Sequence, residues 1–343
     1  MLVLFFLNFE FDEKYGRSRA VTTQALAEMQ NENLTTRKVR YLSSKLATTA
    51  RLANHIFELV SLYGMSKTLH RKPAIFVEDL KYTRLMNGIQ KIFPALLEKF
   101  TIFKTQPPPE AERFLLSEKC CKFDSPDKID NVTSEYLHLT GHFYQSWRYF
   151  DEFREEVLAF VKPAINFSPL PESNDENFIT CIHIRRTDFV DGEHHASNIS
   201  FTTKALEFVR NSEQLKIEKT KKMLTVIMGD DADYEETMFP KTVRARKGAE
   251  VKNTTQFFVS VNMPQNDLAY SRYNCDAVLI TAPSSTFGWW LGYLSKGQSV
   301  YYQDIRFTND VNYRKGELDP DDFFVPRWTA LNMNANGDIV KVS

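Results

Sequence analysis

The sequence predicts an α/β fold made of two halves, each built around a mainly parallel β-sheet. Short apolar strands alternate with amphipathic helices in both parts of the chain, the order that gives a parallel sheet covered by helices on both faces. Residues 163–177 hold three prolines among Ser, Asn and Asp residues, which is typical of a linker between the two series. The length of 343 residues fits about two domains.

The first alternating series begins with a strand predicted over Lys38–Leu42. A helix follows, because apolar residues recur at the spacing of one helical face: Leu52, Ile56, Leu59, Val60 and Tyr63. Ala74–Val77 is the next predicted strand, which completes a βαβ unit with parallel strands. At the end of this half, Tyr149–Lys162 has the pattern of an amphipathic helix that Pro163 ends.

The second series is longer and more regular. Its predicted strands are Phe178–Ile184, Met223–Met228, Phe257–Val261, Ala277–Ile280 and Ser299–Tyr302. Helices are predicted near Thr203–Leu215, Asp233–Phe239, Asn266–Tyr273 and Thr286–Leu294. We therefore expect an N-terminal segment over residues 1–37, one Rossmann-like domain over 38–165 and a second over 166–343. Ligands of such sheets bind at the carboxyl ends of the strands.

Composition excludes several classes of function. The formal net charge is -1, so the chain has no overall basic field that would collect nucleic acid, and we expect no nucleic-acid partner. None of the 12 glycines forms a GxG pair, so the chain has neither the GxGxxG fingerprint nor a Walker A loop. The usual nicotinamide dehydrogenases and P-loop NTPases are therefore excluded at the level of motifs.

The cellular compartment is suggested by five Asn-x-Ser/Thr triplets. They begin at Asn33, Asn131, Asn166, Asn198 and Asn253, and indicate a glycosylated protein of the secretory pathway. The apolar run Met1–Leu7 is too short to span a membrane, and is either the remnant of a signal or anchor or a buried N-terminal segment. The four cysteines, Cys120, Cys121, Cys181 and Cys275, allow three pairings, which stay open.

The sequence His183-Ile184-Arg185-Arg186-Thr187-Asp188 lies at the C-terminal end of the apolar strand FITCIHI and is the first candidate for chemistry. Arginines at such a strand end can bind a diphosphate with bidentate hydrogen bonds and keep their charge at any physiological pH. Asp188 would orient an arginine or act on a substrate hydroxyl. The alternative is a surface arginine pair bridged to Asp188.

A second candidate site follows the strand Ala277–Ile280, where Ser284, Ser285 and Thr286 precede a helix. Hydroxyls and free N–H groups at a helix N-terminus bind anions, although these residues also suit a simple N-cap. Trp289 and Trp290 would belong to the core or stack on a base or sugar.

Taken together, HIRRTD and STFGWWLGYL resemble the α-1,2-fucosyltransferases of glycosyltransferase family 11. The family's G-x-L-G-N-Q-x-F-Q motif corresponds to residues 50–58, where Leu52, Asn54 and Phe57 match and Ala50 and Ala53 replace the glycines. The resemblance extends from about residue 38 to Trp328. Thr187 instead matches the related α-1,6 enzymes.

The resemblance implies a GT-B architecture, in which two Rossmann-like halves face a cleft and GDP-fucose binds mainly the C-terminal half. It implies an inverting, metal-independent fucosyltransferase of galactose-terminated glycans. The five sequons and the run Met1–Leu7 predict a protein of the Golgi lumen anchored by its N-terminus. The implied donor-binding residues are His183, Arg185, Arg186, Asp230, Asp267, Ser284, Ser285, Thr286, Phe287 and Gly288. Asn54 and His55 would lie on the acceptor side of the cleft.

The catalytic residues would be Arg185, which holds the leaving diphosphate, and a base. Glu193 is favoured as the base because it lies five residues beyond Asp188 in the same loop, away from the positive charge of the arginines. It also matches the position of a glutamate base in the α-1,6 relatives. Asp188 is the second candidate, since two adjacent arginines favour its ionised, weakly basic form. The remaining candidates are His194, His195 and Glu58.

Other interpretations stay open beside this one. Asp231 and Asp233 form a DxD, which holds a divalent cation in other glycosyltransferases but also suits a helix start. His138 and His142 have the spacing of helical zinc ligands, but their surroundings predict an extended strand. A binding protein without turnover and a fucosyltransferase of another linkage are the alternative functions.

Overall fold

The computed structural model describes residues 38–218 and 220–342. In its N-terminal part, five parallel strands form one sheet in the order β3-β2-β1-β5-β4. The strands are β1 Tyr41–Ser44, β2 Lys72–Phe76, β3 Thr101–Phe103, β4 Glu112–Phe114 and β5 Tyr136–Leu139. The helices are α1 Leu52–Thr68, α2 Leu80–Gln90, α3 Pro94–Leu97 and α4 Arg154–Ala159.

The C-terminal part contains an eight-stranded sheet in the order β13-β12-β11-β10-β6-β7-β9-β8. Its strands are β6 Asn177–His183, β7 Lys222–Met228, β8 Val243–Ala245, β9 Phe257–Ser260, β10 Ala277–Ile280, β11 Ser299–Gln303, β12 Thr329–Met333 and β13 Ile339–Lys341. The helices are α5 Thr187–Asp191, α6 Ile199–Gln214, α7 Ala232–Met238, α8 Pro264–Asn274, α9 Thr286–Leu294, α10 Val311–Arg314 and α11 Pro320–Phe323. β13 alone is antiparallel to its neighbour. The predicted α/β, GT-B-like fold with two mainly parallel sheets is confirmed.

One predicted helix, Tyr149–Lys162, is wrong over most of its length. The α-helical part is α4, which covers Arg154–Ala159, and a 3-10 turn precedes it at Asp151–Phe153. The two ends have different causes: the backbone of Phe150, with φ -148° and ψ -3°, lies outside the helical region, and the Lys162 N–H donates to the Ile92 carbonyl at 2.8 Å and not to a residue of its own helix. The residues on either side of α4 therefore do not form one continuous α-helix with it.

The core between the two sheets is aromatic. Phe57 on α1 packs against Trp289 and Trp290 on α9, with ring centroids 4.6 and 5.0 Å apart. Both tryptophans are fully buried, and the Trp289 indole donates to the Phe323 carbonyl at 2.7 Å. The core interpretation of this pair is therefore confirmed, and neither ring is free to stack on a ligand.

The chain also returns from the second sheet to the first. Asp322 on α11 accepts a hydrogen bond from the Phe123 N–H at 2.9 Å, pairs with Arg148 at 2.9 Å and offers its carbonyl to Ser146 at 2.6 Å. Residues 40–343 form one compact unit, so the predicted division near residue 165 stays a prediction. The segment 1–37 lies outside the described residues.

Two disulfides join the four cysteines as Cys120–Cys121 and Cys181–Cys275. Within the described part of the chain, Asn131, Asn166, Asn198 and Asn253 are exposed. Asn33 and the run Met1–Leu7 lie outside the part that the structure describes. In that part no helix has the length and apolarity that crossing a membrane requires.

Candidate functional site

A cleft of about 780 Å³ lies where strands of both sheets end. From the N-terminal part it is lined by Arg51, Leu52, Ala53, Asn54, Cys120, Phe143 and Gln145. From the C-terminal part it is lined mainly by His183, Ile184, Arg185, Asp188, Phe189, His194, Gly229, Asp230, Asn262, Asp267, Ser284–Phe287, Asn312 and Glu317. This volume suits a ligand the size of a nucleotide or sugar.

Arg185 is the arginine of the sequence motif that faces this cleft. Its guanidinium lies 2.6 Å from the Asp188 carboxylate and 3.1 Å from that of Asp230. Its backbone N–H donates to the Ser197 hydroxyl at 2.9 Å, which fixes the turn after β6. A cation held in this way is preorganised for an anionic ligand, because the protein has already ordered the side chain.

Arg186 points elsewhere, although the sequence placed it beside Arg185 in donor binding. Its guanidinium donates to the Ser197 carbonyl at 3.0 Å and lies over the Tyr234 ring at 4.0 Å. Its backbone N–H donates to the Asp230 carboxylate at 2.9 Å. Arg186 does not line the cleft, and these contacts give it a role in the shape of the turn.

His183 ends β6 beneath the cleft and is 1% exposed. Its Nε2 lies 3.2 Å from the Ser285 hydroxyl, at the start of α9. Burial lowers the pKa of His183 to about 4, so the ring is neutral at physiological pH. The ring lies so close to Gly288 that a β-carbon there would be 2.6 Å from its Nδ1, and the glycine is therefore what permits this packing.

The N-terminus of α9 carries three hydroxyls with different partners. Ser285 caps the helix, and Ser284 donates to the buried Asp310 carboxylate at 2.5 Å. Thr286 donates to the Asn54 side-chain oxygen at 3.0 Å, and Gln145 donates to the same oxygen at 3.0 Å. Asn54 therefore connects the first helix of the N-terminal part to the site on the C-terminal part, and Phe287 lines the cleft beside it.

Asp267 at the start of α8 lines the far end of the cleft and is buried. Ser260 donates to its carboxyl group at 2.6 Å. Burial raises the pKa of Asp267 to about 7. The group can therefore carry a proton near neutral pH and either donate or accept a hydrogen bond.

The candidate bases differ in position. Asp188 lines the cleft, whereas Glu193 does not. The Glu193 side chain is 70% exposed and lies 3.8 Å from Arg314. His194 lines the cleft with its ring centroid 4.7 Å from that of Phe189.

The other two base candidates and His55 have structural partners. His195 donates its backbone N–H to Asp310 at 2.9 Å. Glu58 accepts from the Ala47 N–H at 3.0 Å, and burial raises its pKa to about 8. His55 lies 3.1 Å from the Ala47 carbonyl, and burial lowers its pKa. None of the three lines the cleft.

The acidic pair of the DxD is occupied by structural contacts. Asp231 caps α7 by accepting from the Tyr234 N–H at 3.1 Å, and Asp233 pairs with Arg244. In residues 38–218 and 220–342 no group of three or more His, Cys, Asp or Glu side chains could hold a metal ion. His138 lies in β5, as its extended surroundings predicted, and contacts the Ser43 hydroxyl at 2.9 Å.

Several cleft residues were missed by the sequence analysis. Arg51 precedes α1, and its nearest signal was its place inside the degraded N-terminal motif. Phe143, Gln145, Asn312 and Glu317 lie in loops or short elements whose sequence carries no recognisable pattern. They reach the cleft because residues distant in sequence meet at the ends of the two sheets.

The chain is similar to several known proteins. The model of "Glycosyl transferase family 11" matches residues 16–332. A putative glycosyltransferase of Caenorhabditis elegans, C06E1.7, is 60% identical over 100% of this chain and 96% of its own length. A putative galactoside 2-alpha-L-fucosyltransferase of the same organism, svh-11, is 41% identical over 85% of this chain and 79% of its own.

Another C. elegans relative, a galactoside 2-alpha-L-fucosyltransferase, is 33% identical over 84% of this chain and 76% of its own length. Among solved structures, the fucosyltransferase NodZ from Bradyrhizobium aligns with a TM-score of 0.44 and 13% identity. That alignment covers 89% of this chain and 99% of the bacterial one.

Proposed function

The chain belongs to glycosyltransferase family 11, and from this premise we propose that it transfers L-fucose from GDP-fucose to a galactose-terminated glycan. The proposed activity is that of an inverting galactoside 2-alpha-L-fucosyltransferase. The names of two relatives support the reaction. The observation that carries the proposal is the position of Arg185, held by two carboxylates inside the cleft.

Arg185 supplies the charge that this reaction requires. The acceptor oxygen attacks the anomeric carbon of fucose while the bond from that carbon to the β-phosphate oxygen breaks, so negative charge develops on GDP. A guanidinium at this position stabilises the developing charge more than the bound donor. The clamp therefore needs no metal ion, and we propose that the enzyme is metal-independent.

The donor nucleotide is proposed to occupy the C-terminal side of the cleft. The phosphates would lie between Arg185 and the hydroxyls at the N-terminus of α9, which is a favourable place for anions. The purine would lie toward Asp267, whose carboxyl group can hydrogen-bond a base edge. His183 and Gly288 would act beneath the donor by holding α9 against β6.

The acceptor would enter from the side of Asn54, Phe143 and Glu317. A base must take the proton of the acceptor hydroxyl as the new bond forms. Asp188 meets the requirement of position because it lines the cleft, and Glu193 would need the loop after α5 to move toward it. Both assignments are proposals, and the steady-state kinetics of Asp188→Asn and Glu193→Gln distinguish between them.

We further propose a luminal protein of the Golgi, anchored through its N-terminal segment and glycosylated. The exposed sequons Asn131, Asn166, Asn198 and Asn253 support this location. Expression behind a secretory signal in a eukaryotic host tests it, because an unchanged mass after enzymatic deglycosylation would contradict the proposal.

The activity is tested by an array of glycan acceptors incubated with GDP-fucose, followed by linkage analysis of the product. We expect an α-1,2 linkage to terminal galactose and full activity in EDTA. Activity that is lost on chelation and restored by Mn²⁺ would contradict metal independence. It would favour the alternative in which Asp231 and Asp233 hold a divalent cation. Binding of GDP without transfer to any acceptor would favour a non-catalytic homologue. The feature that suggests one is Ala53, which lines the cleft at a position where the family motif has glycine.

A further inference from the structure

Arg185 lies among carboxylates, although the proposed function requires it to bind an anionic diphosphate. One guanidinium faces two carboxylates, those of Asp188 and Asp230, at 2.6 and 3.1 Å. Two negative charges therefore outweigh its single positive charge before any ligand arrives. Both phosphates of a nucleotide sugar are anionic, so a cleft with this arrangement requires a second cation to bind them.

The structure offers one further arginine at the cleft. In the described part of the chain, the arginine and lysine side chains that line it are Arg51 and Arg185, beside the histidines His183 and His194. Arg186 is excluded because its guanidinium lies over Tyr234 and donates to the Ser197 carbonyl.

Arg51 reaches the cleft from the N-terminal part. It is the residue immediately before α1, and its Nη2 lies 3.3 Å from Oδ2 of Asp188. The other oxygen of the same carboxylate, Oδ1, faces Arg185. One carboxylate thus lies between two guanidinium groups, one from each part of the fold. The Arg51 side chain is 63% exposed, against 14% for Arg185, so it retains donors that can bind a ligand.

We propose that Arg51 is a second diphosphate-binding residue, which completes with Arg185 a clamp contributed by both parts of the fold. This inference rests on the proposed function, because it takes GDP-fucose as the ligand. The phosphates of the donor take the place of the Asp188 carboxylate between the two guanidinium groups, so each arginine exchanges one anionic partner for another. It also releases the Asp188 carboxylate from both arginines, at the moment when a base is required.

The test is titration calorimetry of the wild-type protein and of Arg51→Ala, Arg51→Lys and Arg84→Ala with GDP and with guanosine. Arg84 is an exposed arginine on α2 and serves as the matched control. We expect Arg51→Ala to weaken GDP binding about 10- to 100-fold, the effect of losing a charge-assisted hydrogen bond. Arg51→Lys should keep part of the affinity because it keeps the charge but not the planar fork. Guanosine affinity and the Arg84→Ala variant should not change.

Wild-type affinity for GDP in a folded Arg51→Ala protein would overturn the inference. A wild-type protein that does not bind GDP would instead overturn the proposed function, so the two failures are distinguishable. The Asp188→Asn background separates contact from positioning, because the effect of Arg51→Ala persists there if Arg51 touches the phosphates. If the loss disappears in that background, Arg51 acts only by holding Asp188 and the inference is wrong.

Discussion

The packing of His183 against Gly288 gives a prediction whose size follows from the geometry. In Gly288→Ala, the new methyl group would lie 2.6 Å from Nδ1, 2.8 Å from Cγ and 3.0 Å from Cε1 of the His183 ring. His183 is 1% exposed, so the ring has little room to retreat. Overpacking a buried site costs about 1–3 kcal/mol.

A helical glycine also gains stability on replacement by alanine, about 0.5–1 kcal/mol. Gly88 on α2 provides the matched control, because its new methyl would lie 3.6 Å from the Leu52 Cδ1, an ordinary contact. Since the gain is shared by both substitutions, the difference between them measures the steric cost alone. We expect Gly288→Ala to be about 1–3 kcal/mol less stable than Gly88→Ala.

The assay is urea denaturation of both variants beside the wild type, with the free energy of unfolding extrapolated to water. GDP affinity measured on the same samples reports whether α9 has shifted at the donor site. Equal stability of the two alanine variants, with unchanged GDP affinity in both, would refute the contact between His183 and α9 on which the site depends.

Three further predictions follow from buried or paired groups. Burial raises the pKa of Glu58 from 4.5 to about 8, so between these pH values the folded protein holds a proton that the unfolded chain releases. The free energy of unfolding therefore falls as pH rises from 4.5 to about 8. Glu58→Gln should make this fall smaller in denaturation curves measured across that pH range. Joint replacement of Cys181 and Cys275 by alanine should cost about 2–4 kcal/mol of unfolding free energy, because their disulfide closes a long loop, and a variant of unchanged stability would contradict this. In steady-state kinetics, Asp188→Asn should lose about 10²–10⁴ in turnover with GDP affinity retained, and the same loss in Glu193→Gln instead would make that residue the base.

Much of the C-terminal part could be predicted from the sequence because local pattern and tertiary structure agree there. The strand before Arg185 has six buried residues in succession, most of them apolar, as expected of a strand buried on both faces. The helix that begins at Thr286 follows a capping serine and carries seven buried residues in succession. In β6 and α9 the spacing of apolar residues, the capping residue and the observed burial all indicate the same secondary structure.

The rest depends on contacts between distant residues. Two adjacent arginines read alike in the sequence, yet the turn after β6 directs Arg185 into the cleft and Arg186 onto Tyr234. Glu193 was favoured by its place in the loop, but its side chain lies by Arg314 instead. The role inferred for Arg51 depends on its ion pair with Asp188, 137 positions away in the sequence. No local sequence pattern predicts a contact between residues so far apart.

Comparison of Arg185→Ala with Arg186→Ala tests most directly whether Arg185 binds the leaving diphosphate. The two variants remove the same charge at neighbouring positions, but only Arg185 faces the cleft. Measured on folded protein by GDP titration and by transfer of fucose from GDP-fucose, Arg185→Ala should lose about tenfold or more in affinity and still more in turnover. Arg186→Ala should lose less in both, because its side chain supports the turn through Ser197 and Tyr234 but does not face the cleft. Equal losses in the two variants, or wild-type turnover in Arg185→Ala, would contradict the assignment of Arg185 to the leaving diphosphate.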